Sequence, residues 1–197
     1  MFNKIVSNSA FVFVLAAFFV MGAAAPGAVE DEILRSAGPN PNAPAELQQF
    51  AFLIGEWDAH AYLIDDSGNE VEFGYADWRI FYILNGCAIQ DAWIYRNLAS
   101  GEVEHGTMFR TFNPAAGEWR IVEQRHTDLE FVHMTAKQVG ETMEMHGVLE
   151  SPEGKVNFRR VFYNIEKDRF EWRTDFSRDG GKTWQERAFY LRVTRRK

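Results

Sequence analysis

Four ionisable side chains stand on stripes of the sequence that otherwise read apolar. Asp91 alternates with Ile89, Trp93 and Tyr95, and Glu123 with Trp119 and Ile121. Arg160 lies between Phe158 and Phe162 on the stripe of Val156, and Arg110 between Met108 and Phe112, although the opposite face (Phe109, Thr111) would suit Arg110 as well. Side chains two apart share one face of a strand. If these stripes face inward, two carboxylates and two guanidinium groups enter one interior. Such charges must pair with one another or meet a ligand or water, because an isolated buried charge is too costly. The chemistry open to the set is general-base catalysis by Asp91 or Glu123, with Arg110 or Arg160 stabilising a developing anion. Equally open is fixation of a carboxylate or phenolate on Arg110 and Arg160 in an otherwise greasy site. The plainer alternatives are a closed structural ion-pair network, or strands turned so that the charges are solvated.

Other chemistry is poorly provided for. The five His residues show no H-E-x-x-H pairing or other local metal-ligand spacing, so no metal site is expected. There is no G-x-S-x-G elbow and no glycine-rich phosphate loop. The single Cys excludes an intramolecular disulfide, and Cys87, beside Asn85 and Gly86, reads as a small packed residue. Twenty-eight Asp and Glu against 21 Lys and Arg give a net charge of −7, which argues against a nucleic-acid partner. Aromatic residues make up 15% of the chain, and several fall on the same candidate inward stripes: Trp78, Tyr82, Trp119 and Trp172. They are the expected lining of a cup for a small hydrophobic or amphipathic ligand.

The elements that must position these groups follow from the hydrophobic period. Residues 1–25 combine Lys4, an apolar run from Ala10 to Val20 and the small residues Ala23, Ala24 and Ala25. That is the pattern of a secretory signal peptide, so the mature chain is expected to be exported, periplasmic or secreted, without a stable membrane span. Residues 26–44 are rich in Pro, Gly and Asn and read as a flexible linker. Leu47, Phe50, Ala51 and Ile54 then fall at i, i+3, i+4 and i+7, the face of a short helix. After Gly55 the period drops to two. About ten strand-like segments follow: Gly55–Leu63, Glu70–Leu84, Cys87–Arg96, Val103–Phe112, Glu118–His126, Phe131–Gln138, Glu141–Glu150, Lys155–Ile165, Arg169–Phe176 and Thr183–Thr194. Asn85-Gly86 is the strongest hairpin signal, because a type I′ turn needs φ > 0 at both central residues. Every connection is too short for a crossover helix, so the pairing is antiparallel. Residues 45–197 are therefore expected to be an all-β, antiparallel up-and-down barrel with a short N-terminal helix as its plug. A homodimer is neither required nor excluded.

Gly55-Glu56-Trp57 at the start of the first strand resembles the G-x-W signature of lipocalins and the wider calycin group. The segments Phe52 to Trp57, Ile83 to Asp91, Gly106 to Pro114 and Ser177 to Trp184 resemble a bacterial family of exported lipocalin-like proteins of unknown function. The resemblance implies a barrel in which Gly55 and Trp57 are structural and Trp57 packs at the closed end under a late arginine, either Arg192 or Arg195. It implies little about function, because calycin barrels serve both ligand carriage and isomerase or lyase chemistry. Haem-binding barrels of the nitrobindin type also open with G-x-W, but extend it with further Gly and use a late axial His; here Asp58, Ala59 and His60 follow, and His146 is the last His. No cofactor is expected. Ser177 to Trp184 also matches the Asp-box S-x-D-x-G-x-T-W, in which Asp179 bonds turn amides and Trp184 packs beneath, a device for folding a hairpin. Two functions follow: an exported ligand-binding barrel, or an isomerase- or lyase-type enzyme with a buried carboxylate base. A filled barrel serving only as an interaction module is a third reading.

Overall fold

A computed structural model describes residues 35–128, 130–151 and 154–197; the expected signal peptide and the first part of the expected linker lie outside them. Among the described residues, ten antiparallel strands follow a single 3-10 helix, Ala45–Leu53. They are β1 (Gly55–Ile64), β2 (Glu70–Ile83), β3 (Ala88–Asn97), β4 (Val103–Asn113), β5 (Glu118–Arg125), β6 (Val132–Val139), β7 (Thr142–Ser151), β8 (Gly154–Tyr163), β9 (Arg169–Ser177) and β10 (Gln185–Arg195). Each pairs with its neighbours in sequence, and β1 pairs with β10 to close the barrel. Closure gives both edge strands a partner, which removes the exposed edges of an open sheet.

The Asn85-Gly86 turn forms as its residues require. Asn85 and Gly86 have φ of 51° and 74°, and the Cys87 amide donates to the Leu84 carbonyl at 3.1 Å. Cys87 is exposed in this turn and is not packed as expected, because the turn carries its side chain away from the core. The described part of the expected linker lies as a strap against the barrel. Ser36 N–H donates to the Tyr82 carbonyl at 2.7 Å, and Asn40 N–H to the Gly86 carbonyl at 3.0 Å. A Cβ on Gly86 would lie 2.4 Å from the Asn40 nitrogen, so this glycine serves both the turn and the close approach of the strap.

The helix differs from expectation in period. It is 3-10, and its buried residues are Leu47, Phe50 and Leu53, three apart, whereas Ala51 and Ile54 are only half-buried. Three residues per turn puts i and i+3 on one line. That line enters the barrel, where Phe50 meets Trp119 edge-on at 4.8 Å and Gln49 Oε1 accepts the Trp119 indole N–H at 2.9 Å. Among the described residues no helix is long and apolar enough to cross a membrane.

Trp57 sits at this plugged end, fully buried, donating its indole N–H to the Leu53 carbonyl at 2.6 Å. The arginine above it is Arg195, whose guanidinium carbon lies 4.0 Å from the ring centre and whose Nη1 donates to the Ile54 carbonyl at 2.9 Å. Arg192 does not take this role. It is on the outer face of β10, over the Tyr62 ring and hydrogen-bonded to Glu70 at 2.7 and 2.8 Å. The parity of β10 decides: Arg192 points out with Tyr190, while Arg195, paired with Trp57 in the register, shares the inward face of Val193.

Candidate functional site

The barrel interior is filled near the helix and hollow toward the opposite end. The hollow is a cavity of about 280 Å³, close to the lower edge of ligand-pocket sizes, which begin at about 300 Å³. Its space comes from small side chains: Ala59 and Ala61 on β1 and Ala76 on β2 line it where larger residues would fill it. Aromatic rings supply the rest of the wall, with Trp78, Trp93, Tyr95 and Trp172 around it. Trp93 lies flat across Gly106 of the adjacent strand, where a Cβ would come within 2.1 Å of the indole, and Tyr95 lies across Gly74 in the same way. The glycines let these rings lie along the wall.

All four charged residues singled out from the sequence are buried, Asp91 and Arg110 at 0% exposure, Glu123 at 2% and Arg160 at 6%. They form two pairs at different depths. Arg110 Nη2 donates to Asp91 Oδ2 at 2.7 Å, and the Met108 amide donates to Asp91 Oδ1 at 2.8 Å. The Phe50 ring of the helix lies 5.6 Å from the Arg110 guanidinium, so this pair forms the floor beneath the hollow, and neither residue lines it. Burial pushes the Asp91 carboxyl above its ordinary value, against the pull of Arg110.

The second pair lines the hollow. Arg160 Nη1 donates to Glu123 Oε2 in a short contact, and Arg125 Nε donates to Glu123 Oε1 at 3.0 Å. Burial alone would raise the Glu123 carboxyl, but the Arg160 and Arg125 guanidinium groups outweigh it and hold the carboxyl below its ordinary value. Arg160 is stacked between the Phe158 and Trp172 rings, at 5.0 and 5.5 Å. One donor of this pair finds no acceptor among the described residues, Arg160 Nε, whereas the Trp78 indole N–H is turned to the Asp91 carboxylate.

Of the expected aromatic lining, Trp78 and Trp172 border the hollow. Trp119 and Tyr82 are buried on the inward stripes but stand at the plugged end, Trp119 against Phe50 and Tyr82 under the Ser36 strap. Arg125 was missed in the sequence. It continues the stripe of Trp119, Ile121 and Glu123, but at the end of its strand, where one charged residue looks like an ordinary solvated rim. Arg125 also borders a second depression, of about 600 Å³, between the end of β5 and the inward residues Val132, Val156 and Phe176. A larger depression of about 1310 Å³ lies at the helix end. Gln48, Gln49, Gln138, Asn164 and Glu166 interrupt its wall, so it offers no continuous apolar surface.

The Asp-box forms a closed turn. Asp179 accepts the amides of Lys182 and Thr183 at 3.0 and 2.9 Å and the Thr183 hydroxyl at 2.6 Å. These donors hold its carboxyl far below the ordinary range. Trp184 is half-buried beneath the Arg159 guanidinium at 4.7 Å. His105 and His126 meet edge-on at 5.4 Å, whereas His133 and His146 are exposed on the outer wall. No group of three or more His, Cys, Asp or Glu placed to hold a metal occurs among the described residues.

No family model matches the chain, and no curated protein matches it. Solved structures do. The chain is similar to Rv2717c from M. tuberculosis, with 14% identity over 79% of this chain and 100% of that one, at a TM-score of 0.51. It is also similar to the S-type phycobiliprotein lyase CPES from Guillardia theta, with 13% identity over 76% of this chain and 92% of that one, at a TM-score of 0.52. At these identities the likeness carries the fold alone, a closed antiparallel β-barrel, and the site has to speak for the function.

Proposed function

We propose that this chain is an exported binding protein, a member of the lipocalin-like family its motifs resemble, that holds a small hydrophobic or amphipathic molecule in the barrel hollow. The observation that carries the reading is the aromatic-walled cavity kept open by Ala59, Ala61 and Ala76, with a few placed polar groups at one side. At about 30 Å³ per water the space would hold roughly nine waters against mostly apolar walls, a poorly hydrated pocket that favours an apolar guest.

The enzyme reading is weaker on the same geometry. Asp91 is sealed in the floor by Arg110 and does not reach the hollow. Glu123 reaches it, but two guanidinium groups hold it ionised, which makes it a poor proton acceptor near neutral pH.

Trp78, Trp93 and Trp172 make tryptophan fluorescence the direct test. Titration with fatty acids, phenolics and terpenoids is expected to give saturable quenching at one molecule per chain. Replacing Trp172 with Phe should remove a large part of the signal while saturation persists. Absence of saturable binding across the panel would overturn the reading. Export is tested separately, by N-terminal sequencing of the protein recovered outside the cytoplasm, expected to begin after Ala24 or Ala25.

A further inference from the structure

The hollow and the 600 Å³ depression meet at one residue, Arg125, which borders both. The first chamber is walled by indoles; the second is wider and opens at the mouth beside Val132, Val156 and Phe176. Between them stands an uneven ionic cluster: the Glu123 carboxylate serves two guanidinium groups, Arg160 from within and Arg125 from the mouth. Arg160 is nearly sealed and still has Nε without an acceptor among the described residues. Arg125 keeps 35% of its side chain exposed, and its next carboxylate, Asp128, is 3.8 Å away. Glu104 also lines the hollow and Asp128 stands beside Arg125, so the spare donor capacity is local to the buried Arg160 and is not a net positive charge of the junction. Buried donors left without partners cost free energy, and an anionic acceptor would satisfy them by charge-assisted bonds.

We propose that Arg125 and Arg160 form an anion clamp at this junction, so that the bound molecule is an amphipathic anion whose rings fill the indole-walled hollow and whose acidic group sits between the two guanidinium groups. This rests on the reading of the hollow as the binding site. Arg110, the other arginine of the inward stripes, takes no part, because Asp91 and the helix enclose it.

Two probes with the same rings isolate the clamp: 8-anilinonaphthalene-1-sulfonate, and N-phenyl-1-naphthylamine, which lacks the sulfonate. Both are titrated into the full chain by fluorescence, and each is used to displace the other so that one shared site is read. The wild-type protein is expected to prefer the anion by at least about tenfold, the scale of one good charge-assisted bond. Arg125→Gln should bring the two affinities within about threefold of each other while the neutral probe keeps its own. Glu123→Gln, which removes the carboxylate competing for both guanidinium groups, should widen the preference. These opposite shifts are not what a loss of structure would give. Equal affinities in the wild type, or a preference untouched by Arg125→Gln, would overturn the clamp and leave the hollow as a neutral-ligand site. If neither probe binds, the binding-site reading falls and the clamp with it.

Discussion

Asp91 and Arg110 are both fully buried, and their pair is held at 2.7 Å. Desolvating two such ions costs several kcal/mol each even after relaxation, and their mutual attraction at best offsets this, so the pair adds little relative to apolar residues of the same shape. Breaking it is another matter. Asp91→Ala strands the Arg110 charge beneath the helix, and urea unfolding should show a loss of about 3–5 kcal/mol. Combining it with Arg110→Met should recover most of that loss; a single change costing under about 1 kcal/mol would mean that the pair is not sealed as described. Glu123 behaves differently with pH. Its carboxyl is held below 4.5 in the folded state, so its contribution is present above that value and fades as pH falls through the folded value. Asp91, shifted upward, acts in the opposite sense, and the two are separated by comparison with a variant. The stability gap between wild type and Glu123→Gln should be full at neutral pH and close below pH 4.5. A gap independent of pH would show that the Arg160 and Arg125 contacts do not depend on the charge.

At the scale of elements, the first strand is locked to the last by Gly55, Trp57 and Arg195. Gly55 has φ of 138°, and a Cβ there would meet Arg195 Nη1 at 2.2 Å. The glycine of G-x-W is thus needed for its backbone angle and for the arginine that reaches over it to the Ile54 carbonyl. Gly55→Ala should cost about 1–3 kcal/mol of stability from the backbone strain and the contact together. In an Arg195→Ala background the contact part disappears and the cost should shrink, a coupling that a double-mutant cycle measures directly. The outer wall carries a second lock that the stripes do not announce. Asp175 points outward from β9 yet is fully buried, bonded by Arg159 Nε at 2.7 Å and the Arg187 amide at 2.9 Å. Arg187 takes φ of 52° where the register of β10 shifts against β9, and that irregularity brings its amide over Asp175.

For the whole molecule, the hollow exists because small residues line one side of an otherwise packed barrel. Filling it should therefore separate binding from stability. Ala76→Leu places three more carbons in the cavity, and the expected result is ligand affinity reduced at least about tenfold with an unchanged or raised melting midpoint, since added apolar contact in a void favours the folded state. A fall in stability at full affinity would place Ala76 against packed atoms. The strands, their order and their closure were legible in the sequence, because a period of two, short turns and positive-φ residues such as Asn85-Gly86 are local properties of the chain. Alternation also singled out Asp91, Arg110, Glu123 and Arg160, but it left open whether those stripes face inward and which face Arg110 takes; the closed barrel buries all four. The tertiary structure decided depth. Register and stagger set the height of each residue along the barrel axis, and no single strand contains that information. They bring Asp91 to Arg110 under the plug and Glu123 to Arg160 beside the hollow, and place Arg125, an unremarkable strand end in the sequence, at the junction of two chambers. They also select Arg195 over Arg192, because which side chain covers Trp57 depends on how the tenth strand meets the first.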